Sequence, residues 1–195
     1  MPRLSMPSRT LQSLLAILCL SLAPLLHAQQ KIAFDPAHSE IHFTLGGNMH
    51  TVHGAFALQP SQIEFSPTTG KSSGTISVDA SSGASGNSSR DRRMTSDVLK
   101  APSYKTITFT PASYTGAFNP TGDSTLTVHG TLTLVGSAHP IDVPMKVHAE
   151  ASNIQATGSF TIPYTQWGLK DPSTFVFRVD KEVRIDLDLH GSLRP

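Results

Sequence analysis

Histidines are the residues of this 195-residue chain with the clearest capacity to bind a metal or move a proton. His38 and His42 are four positions apart, and His50 and His53 are three apart, spacings that would pair them on a helix. In extended chain the first pair would lie about 13 Å apart and the second would point to opposite faces. No carboxylate pair or cysteine completes either set, so we expect no metal. We predict instead that His38, in the turn "DPAHS", hydrogen-bonds near Asp35.

Enzyme motifs are missing from the sequence, although Ser, His and Asp are plentiful. The patterns GxSxG and HExxH and a Gly-rich phosphate loop do not occur. We therefore expect no catalysis and no cofactor. The charged pair Arg90 and Asp91 heads a predicted helix. Either the pair caps and braces that helix over one end of the fold, or Arg90 meets a ligand headgroup such as a hydroxyl, a quinone ring or a phosphate.

The first 28 residues have the pattern of a cleaved secretory signal peptide. Two arginines precede the apolar run 11–26, and Ala28 supplies the small residue before the expected cleavage point. The run is short for a membrane span. It contains the chain's one cysteine, so the mature domain, 29–195, has no disulfide and must be held by burial. We expect a periplasmic or secreted protein.

Charge gives no indication of a nucleic-acid partner. The chain carries 15 basic and 14 acidic residues, and two of the arginines lie in the signal, so the domain is close to neutral. A nucleic-acid partner would need a basic face. The densest basic group, at 90–93, is interrupted by an aspartate, so we expect no nucleic-acid binding.

Strand patterns dominate the mature chain. Apolar residues alternate with threonines, histidines and charged residues, and Gly, Pro, Asn and Ser clusters separate the runs. The predicted strands are 40–45, 52–58, 74–80, 105–111, 125–135, 141–149, 155–164 and 174–191. One segment, 88–100, looks helical, with Met94, Val98 and Leu99 on one side.

These strands predict a closed antiparallel barrel. The connection 136–140 is too short for a parallel return, so its two flanking strands must pair antiparallel. Long strands with open edges invite aggregation, and closure removes the edges. We predict an all-β fold, an eight-stranded antiparallel β-barrel with one short helix. Such a barrel is either just filled by side chains or holds one small ligand. Alternation does not separate these cases, although Gly130 lacks a side chain where a packed core would want one.

Four stretches, taken in order, resemble a known family. They are "FDPAHSEIHFTLGGNMHTVHGAF" (34–56), "NSSRDRRMTSDVLKAPSYKTITFTP" (87–111), "VHGTLTLVGSAHPIDVPMKV" (128–147) and "FTIPYTQWGLKD…VDKEVRIDLDL" (160–189). In this order they resemble the YceI family, the lipocalin-like polyisoprenoid-binding proteins exported by bacteria. The sequence departs from the family at turns: Lys105 follows Tyr104, where proline is common, and Ala138 and His139 precede Pro140.

The resemblance implies a lipocalin-like barrel, closed at one end, whose apolar interior holds a long isoprenoid chain. Inward-facing residues would then contact the ligand. On the headgroup alternative, Arg90 meets its polar end, and the aromatic residues of the segment 164–175 either plug or line one end of the barrel. The ligand-binding residues predicted in this way are Phe43, Val52, Phe56, Ile76, Val78, Arg90, Ile107, Phe109, Val128, Leu132, Ile141, Val143, Met145, Phe160, Ile162, Trp167, Phe175 and Phe177.

The function expected from the resemblance is non-covalent binding, with transport or sequestration of an isoprenoid-type lipid. Binding and transport of such a lipid would involve transient membrane contact. A homodimer is compatible with this function. Two alternatives stay open at this point. One is a fully packed β-domain that recognises a protein or a glycan through its loops. The other is an enzyme that acts on a lipid inside the barrel.

Overall fold

The computed structural model describes residues 29–194; the predicted signal peptide lies outside them. Residues 29–194 form ten β-strands and one short helix that continues into a π-helical turn. The strands are β1 (Gln30–Phe34), β2 (Glu40–Leu45), β3 (Val52–Phe56), β4 (Ser61–Phe65), β5 (Ser72–Asp79), β6 (Thr106–Thr115), β7 (Asp123–Leu134), β8 (Ser137–Glu150), β9 (Asn153–Ile162) and β10 (Val183–Arg194). The helix α1 is Ser88–Arg93, and the π-helical turn is Met94–Val98.

The ten strands occupy eight positions of a closed ring. β1 and β2 lie end to end along β10, β1 pairing with its residues 191–194 and β2 with its residues 184–188. β4 and β3 pair with β1 and β2 in the same way. β5 to β10 follow in chain order, every pairing is antiparallel, and the contact between β1 and β10 closes the ring. The predicted eight-stranded antiparallel barrel is confirmed, with two of its positions each built from two strands.

The turn between β1 and β2 explains why one position of the ring is divided between these two strands. Asp35 accepts a hydrogen bond from the Ala37 amide at 2.9 Å, and its other carboxylate oxygen lies 2.6 Å from Nδ1 of His38. The bond to His38 is the main reason that the pKa of Asp35 is lowered. Such side-chain bonds to nearby backbone favour a turn over continued strand. The prediction that His38 is a structural turn residue is confirmed.

The helix is shorter than the predicted segment 88–100. Asn87 caps it by accepting a hydrogen bond from the Arg90 amide at 3.0 Å. After Arg93 the backbone widens into the π-helical turn, so that Met94, Val98 and Leu99 face the barrel together, as the pattern indicated.

The largest departures from the predicted strands are at β1, β4 and β10. In addition, β6 runs on to Thr115, and β8 begins at Ser137, inside the predicted connection 136–140. β1 and β4 are five residues long and were not recognised, whereas β3, of the same length, was, because its apolar alternation continues to Leu58. The predicted strand 174–191 begins only at Val183. The alternation through Phe175, Phe177 and Val179 lies in an irregular loop. That loop bonds to residues 46–48, which lie beyond the end of β2, and not to a neighbouring strand.

Candidate functional site: an apolar cavity inside the barrel

A cavity of about 700 Å³ fills the interior of the barrel. Every strand contributes apolar side chains to its wall, and the volume is within the range of about 300–1,000 Å³ that small-molecule sites occupy. Several inward-facing residues, among them Val128, Phe160 and Ile185, are only half-buried because they face this space. The interior is therefore hollow, which answers the question that alternation left open.

Large side chains keep the cavity hollow by lying over glycines of neighbouring strands. A Cβ atom added to Gly130 would lie 2.5 Å from Cζ of Phe109. Gly54 is covered in the same way by the ring of Phe43, its pairing partner. Gly130 thus leaves no empty space of its own, contrary to what its position suggested. Because Gly130 has no side chain, the Phe109 ring packs directly against its backbone.

Alanine at Gly130 should destabilise the barrel by about 1–3 kcal/mol. The new methyl group would meet the Phe109 ring and would also lie 2.6 Å from the Thr110 carbonyl oxygen, which cannot move freely within its strand. Urea unfolding measures the effect. Thr125→Ala, on the exposed face of the same strand, is the matched control. An unchanged unfolding midpoint for Gly130→Ala would show that the close contact is easily relieved.

One end of the cavity is closed by an aromatic cluster. The Phe65 ring meets Tyr114 edge to face at 6.0 Å and Phe118 at 5.1 Å between ring centroids. Phe65 and Tyr114 are buried. Burial also raises the pKa of Tyr114, whose hydroxyl donates to the Ser66 carbonyl. The cluster lies where β4 and β6 end, far along the barrel from the helix.

The opposite end is formed by the helix and by the loops at 46–51 and 163–182. The charged and histidine side chains that line the cavity, which are His50, Arg90 and Arg93, all lie here. The cavity is therefore apolar along most of its length and polar at one end. This arrangement suits a molecule with an apolar tail and a polar head.

Arg90 is held chiefly by contacts within its own segment. Its Nε donates to the Ser85 hydroxyl at 2.7 Å and its Nη2 to the Ser85 carbonyl at 2.9 Å. Asp91 accepts from the Ser85 amide at 2.9 Å and from the Ser85 hydroxyl. Arg90 and Asp91 thus converge on Ser85, while Asn87 supplies the cap. These contacts favour the bracing role over the headgroup role, although Arg90 also lines the cavity.

Tyr164 anchors the loop 163–182 at the polar end. The side chain is buried, and its hydroxyl donates to the Asp180 carbonyl at 2.8 Å. Burial, with the nearby charges of Asp171 and Asp180, raises the pKa of Tyr164 to about 12. Asp171 forms an ion pair with Lys181 within the same loop. The hydrogen bonds from Lys181 and Ser173 lower the pKa of Asp171 to about 2.

The stability of the barrel should fall between pH 10 and 12 through the ionisation of Tyr164. Its pKa rises from 10.0 to about 12 on folding, so the folded state holds the proton more tightly than the unfolded state. The resulting stabilisation is present below pH 10 and is lost as the pH rises through 12. Tyr164→Phe should lose about 1 kcal/mol at neutral pH with its hydrogen bond.

The measurement is urea unfolding at about pH 8 and about pH 11.5, below and within this ionisation range. From the lower to the higher pH, Tyr164→Phe should lose less unfolding free energy than the wild type. Tyr104→Phe, a change at an exposed tyrosine, should lose as much unfolding free energy as the wild type. Equal losses in the wild type and Tyr164→Phe would contradict the assignment.

Most residues that the sequence predicted for ligand binding line the cavity. They are Phe43, Val52, Phe56, Ile76, Val78, Arg90, Ile107, Phe109, Val128, Leu132, Val143, Met145, Phe160, Ile162 and Phe177. Three do not. Ile141 packs against the core, Trp167 stacks on His139 with 4.0 Å between ring centroids, and Phe175 is 94% exposed.

Sequence reasoning also missed wall residues. Ile32, Phe34 and Phe65 belong to the unrecognised strands β1 and β4. Ile185 and Leu187 lie on the inward face of β10, whose alternation was visible in the sequence and could have identified them.

Metal ligands do not gather in the part of the chain that the structure describes. Within residues 29–194 no three His, Cys, Asp or Glu side chains are placed to hold an ion. His42 lies 2.8 Å from a carboxylate oxygen of Glu40, and His53 bonds to Thr44. Across the same residues, no helix has the length and apolar character needed to cross a membrane.

Comparison with known proteins gives both a sequence family and a fold. The sequence profile of the YceI-like domain matches residues 33–191. Comparison with curated proteins finds no match. The structure of BcnA from Burkholderia cenocepacia is similar, with a TM-score of 0.65 and 20% identity, covering 83% of this chain and 99% of that one.

Two further solved structures are similar. A polyisoprenoid binding domain from Saccharophagus degradans, implicated in plant cell wall breakdown, has a TM-score of 0.62 and 18% identity, covering 84% of this chain and 98% of that one. A YCEI protein from Campylobacter jejuni has a TM-score of 0.56 and 17% identity, covering 69% of this chain and 81% of that one. At these identities the likeness shows the fold alone.

Proposed function

The chain belongs to the YceI-like family, and on that premise we propose that it binds one apolar lipid of the isoprenoid type inside its barrel. The observation that carries the proposal is the hollow interior of about 700 Å³, closed by aromatic rings at one end and polar at the other. The polyisoprenoid-binding domain of similar fold supports the choice of ligand class. A fully packed recognition domain would have no such space.

The ligand's tail lies along the apolar wall, toward Phe65, and its head lies near the helix. Phe43, Phe109 and Phe160 contact the tail, and Arg93 and His50 are placed to meet the head. Arg90 contributes to the same end while bracing the helix through Ser85. The bound lipid is not altered chemically.

Reversible exchange with membranes follows from the energetics of burial. Each buried CH₂ group is worth about 0.8 kcal/mol relative to water, so a few isoprene units would bind tightly against water alone. The lipid's real alternative is a bilayer, whose interior is equally apolar. The net free energy of extraction is therefore small, and the protein acts as a carrier or a store that exchanges its ligand. Its compartment is periplasmic or extracellular, reached by export that residues 1–28 direct and after which they are cleaved.

Transfer from liposomes tests the carrier function. Protein stripped of lipid is mixed with liposomes containing a fluorescent polyprenyl alcohol and then separated from them by gel filtration. We expect labelled lipid to elute with the protein at up to one molecule per chain. Label that stays entirely with the liposomes, when the protein binds the same compound from detergent solution, would rule out the carrier role but not binding. No uptake from either source would rule out both.

A further inference from the structure

Exposed large apolar side chains are concentrated at the polar end of the cavity. The strongest cases are Met49, Phe175, Val176 and Phe177, which are 65%, 94%, 60% and 53% exposed. They belong to two adjacent loops, and together we call them the apolar tip. Scattered single apolar residues are common on protein surfaces, whereas a contiguous group marks an interaction site.

Hydrogen bonds hold the apolar tip in a defined shape. The side chain of Asn48 donates to the Val176 carbonyl at 3.1 Å and accepts from the Arg178 amide at 3.0 Å. Within the second loop, the Thr174 amide donates to the Phe177 carbonyl at 2.7 Å, and the Phe177 amide donates to the Thr174 hydroxyl at 3.0 Å. The loops therefore present these side chains to solvent as one ordered surface.

The apolar tip is continuous with the cavity. Phe177 is half exposed and also lines the cavity, and so do its neighbours Thr174 and Val179. His50, next to Met49, is part of the same wall. A lipid that leaves the cavity at this end would pass directly onto the surface formed by the tip.

The charges beside the tip favour an anionic partner. Arg178 follows Phe177 directly, and Arg92 and Arg93 lie on the adjoining helix; all three are exposed, and none forms an ion pair within residues 29–194. The acidic residues Asp97 and Asp171 of this end are paired with Lys170 and Lys181. Asp180 and Glu182 are exposed but lie at the base of the loop, Asp180 with its amide bonded to the Gly46 carbonyl and Glu182 next to the start of β10.

We propose that the apolar tip inserts into the surface of an anionic lipid bilayer and holds the polar end of the cavity against it. Apolar side chains flanked by cations are the features that bind proteins to membrane interfaces, where burial of apolar surface adds to attraction by anionic headgroups. The assignment rests on the proposed lipid-carrier function, which supplies the reason for the cavity to meet a bilayer.

Flotation with vesicles of phosphatidylglycerol and phosphatidylethanolamine tests the proposal. The test variant is Met49→Ser/Phe175→Ser/Val176→Ser, which changes the tip but none of the residues that line the cavity. We expect it to lose about tenfold or more of the vesicle affinity, because apolar insertion is removed. Arg178→Gln should lose less, and the loss should vanish on neutral vesicles. Lys146→Gln, an exposed cation on β8, is the matched charge control.

The outcomes distinguish membrane binding by the apolar tip from lipid binding in the cavity. Binding of polyprenyl alcohol from detergent, which tests the cavity alone, should be the same in the triple variant and the wild type. Wild-type vesicle affinity in the triple variant would overturn the proposal, and so would a wild-type protein that does not float. A wild type that is dimeric in sedimentation, with a monomeric triple variant that floats normally, would assign the tip to a second copy instead.

Discussion

Ile185→Trp should lower the affinity for polyprenyl alcohol about a hundredfold while the barrel stays folded. Ile185 is half-buried, lines the cavity and pairs with Phe43 and Phe160 on its two sides, two residues from the start of β10 at the polar end. An indole at this position would project into space that the lipid tail occupies. Expelling about four methylene groups costs about 3 kcal/mol at ~0.8 kcal/mol each, which corresponds to roughly a hundredfold in affinity.

The matched control places the same side chain on the outside of the wall. Thr161 pairs with Arg184, next to Ile185, and is exposed on the outer face. Thr161→Trp should bind the lipid like the wild type. Fluorescence titration with a labelled polyprenyl alcohol measures both variants, and thermal unfolding checks that both are folded. Equal affinities for Ile185→Trp and Thr161→Trp would place the ligand outside the barrel.

Phe65→Ala should cost about 3–5 kcal/mol of folding free energy, the largest stability effect that we expect for a single substitution. Phe65 is 6% exposed and packs edge to face against both Tyr114 and Phe118. Its removal would leave a void that these two rings cannot fill, and the void would join the existing cavity. The closed end of the barrel would then admit water.

Urea unfolding of Phe65→Ala and Phe175→Ala compares one chemical change in two environments. Phe175 is 94% exposed, so its truncation should change the free energy of unfolding by no more than about 0.5 kcal/mol. The difference between the variants isolates packing at the closed end. A loss below about 1 kcal/mol for Phe65→Ala would show that the aromatic cluster does not seal the barrel.

Alternation located β7, β8 and β9 well, because each of these strands is long and has one wet face. The hairpin of β7 and β8 runs in register from Asp123 opposite His148 to Leu134 opposite Ser137, so β8 begins inside the predicted connection 136–140 and the turn is tighter than predicted. The first half was harder to predict. The turn at Asp35 divides one position of the ring into two short strands, and β1, with five residues, carries too little periodicity to identify.

The candidate site could be predicted only in outline. Alternation shows which residues face inward, but a packed and a hollow interior produce the same pattern. What decides between them is where large side chains lie. Phe109 packs over Gly130 of the next strand and so leaves the lumen open, a relation between strands that spacing along the chain does not reveal. Alternation was also misleading at Phe175, which has apolar neighbours at the right spacing but no partner strand.

Mass spectrometry of an organic extract of the native protein tests the central claim most directly. The protein is purified without detergent, in parallel with Ile185→Trp and Thr161→Trp. We predict about one molecule of an apolar, isoprenoid-type lipid per chain in the wild type and in Thr161→Trp, and little in Ile185→Trp. A wild-type extract without lipid, or the same lipid in equal amounts from Ile185→Trp, would contradict the account that the barrel interior is a lipid-binding site.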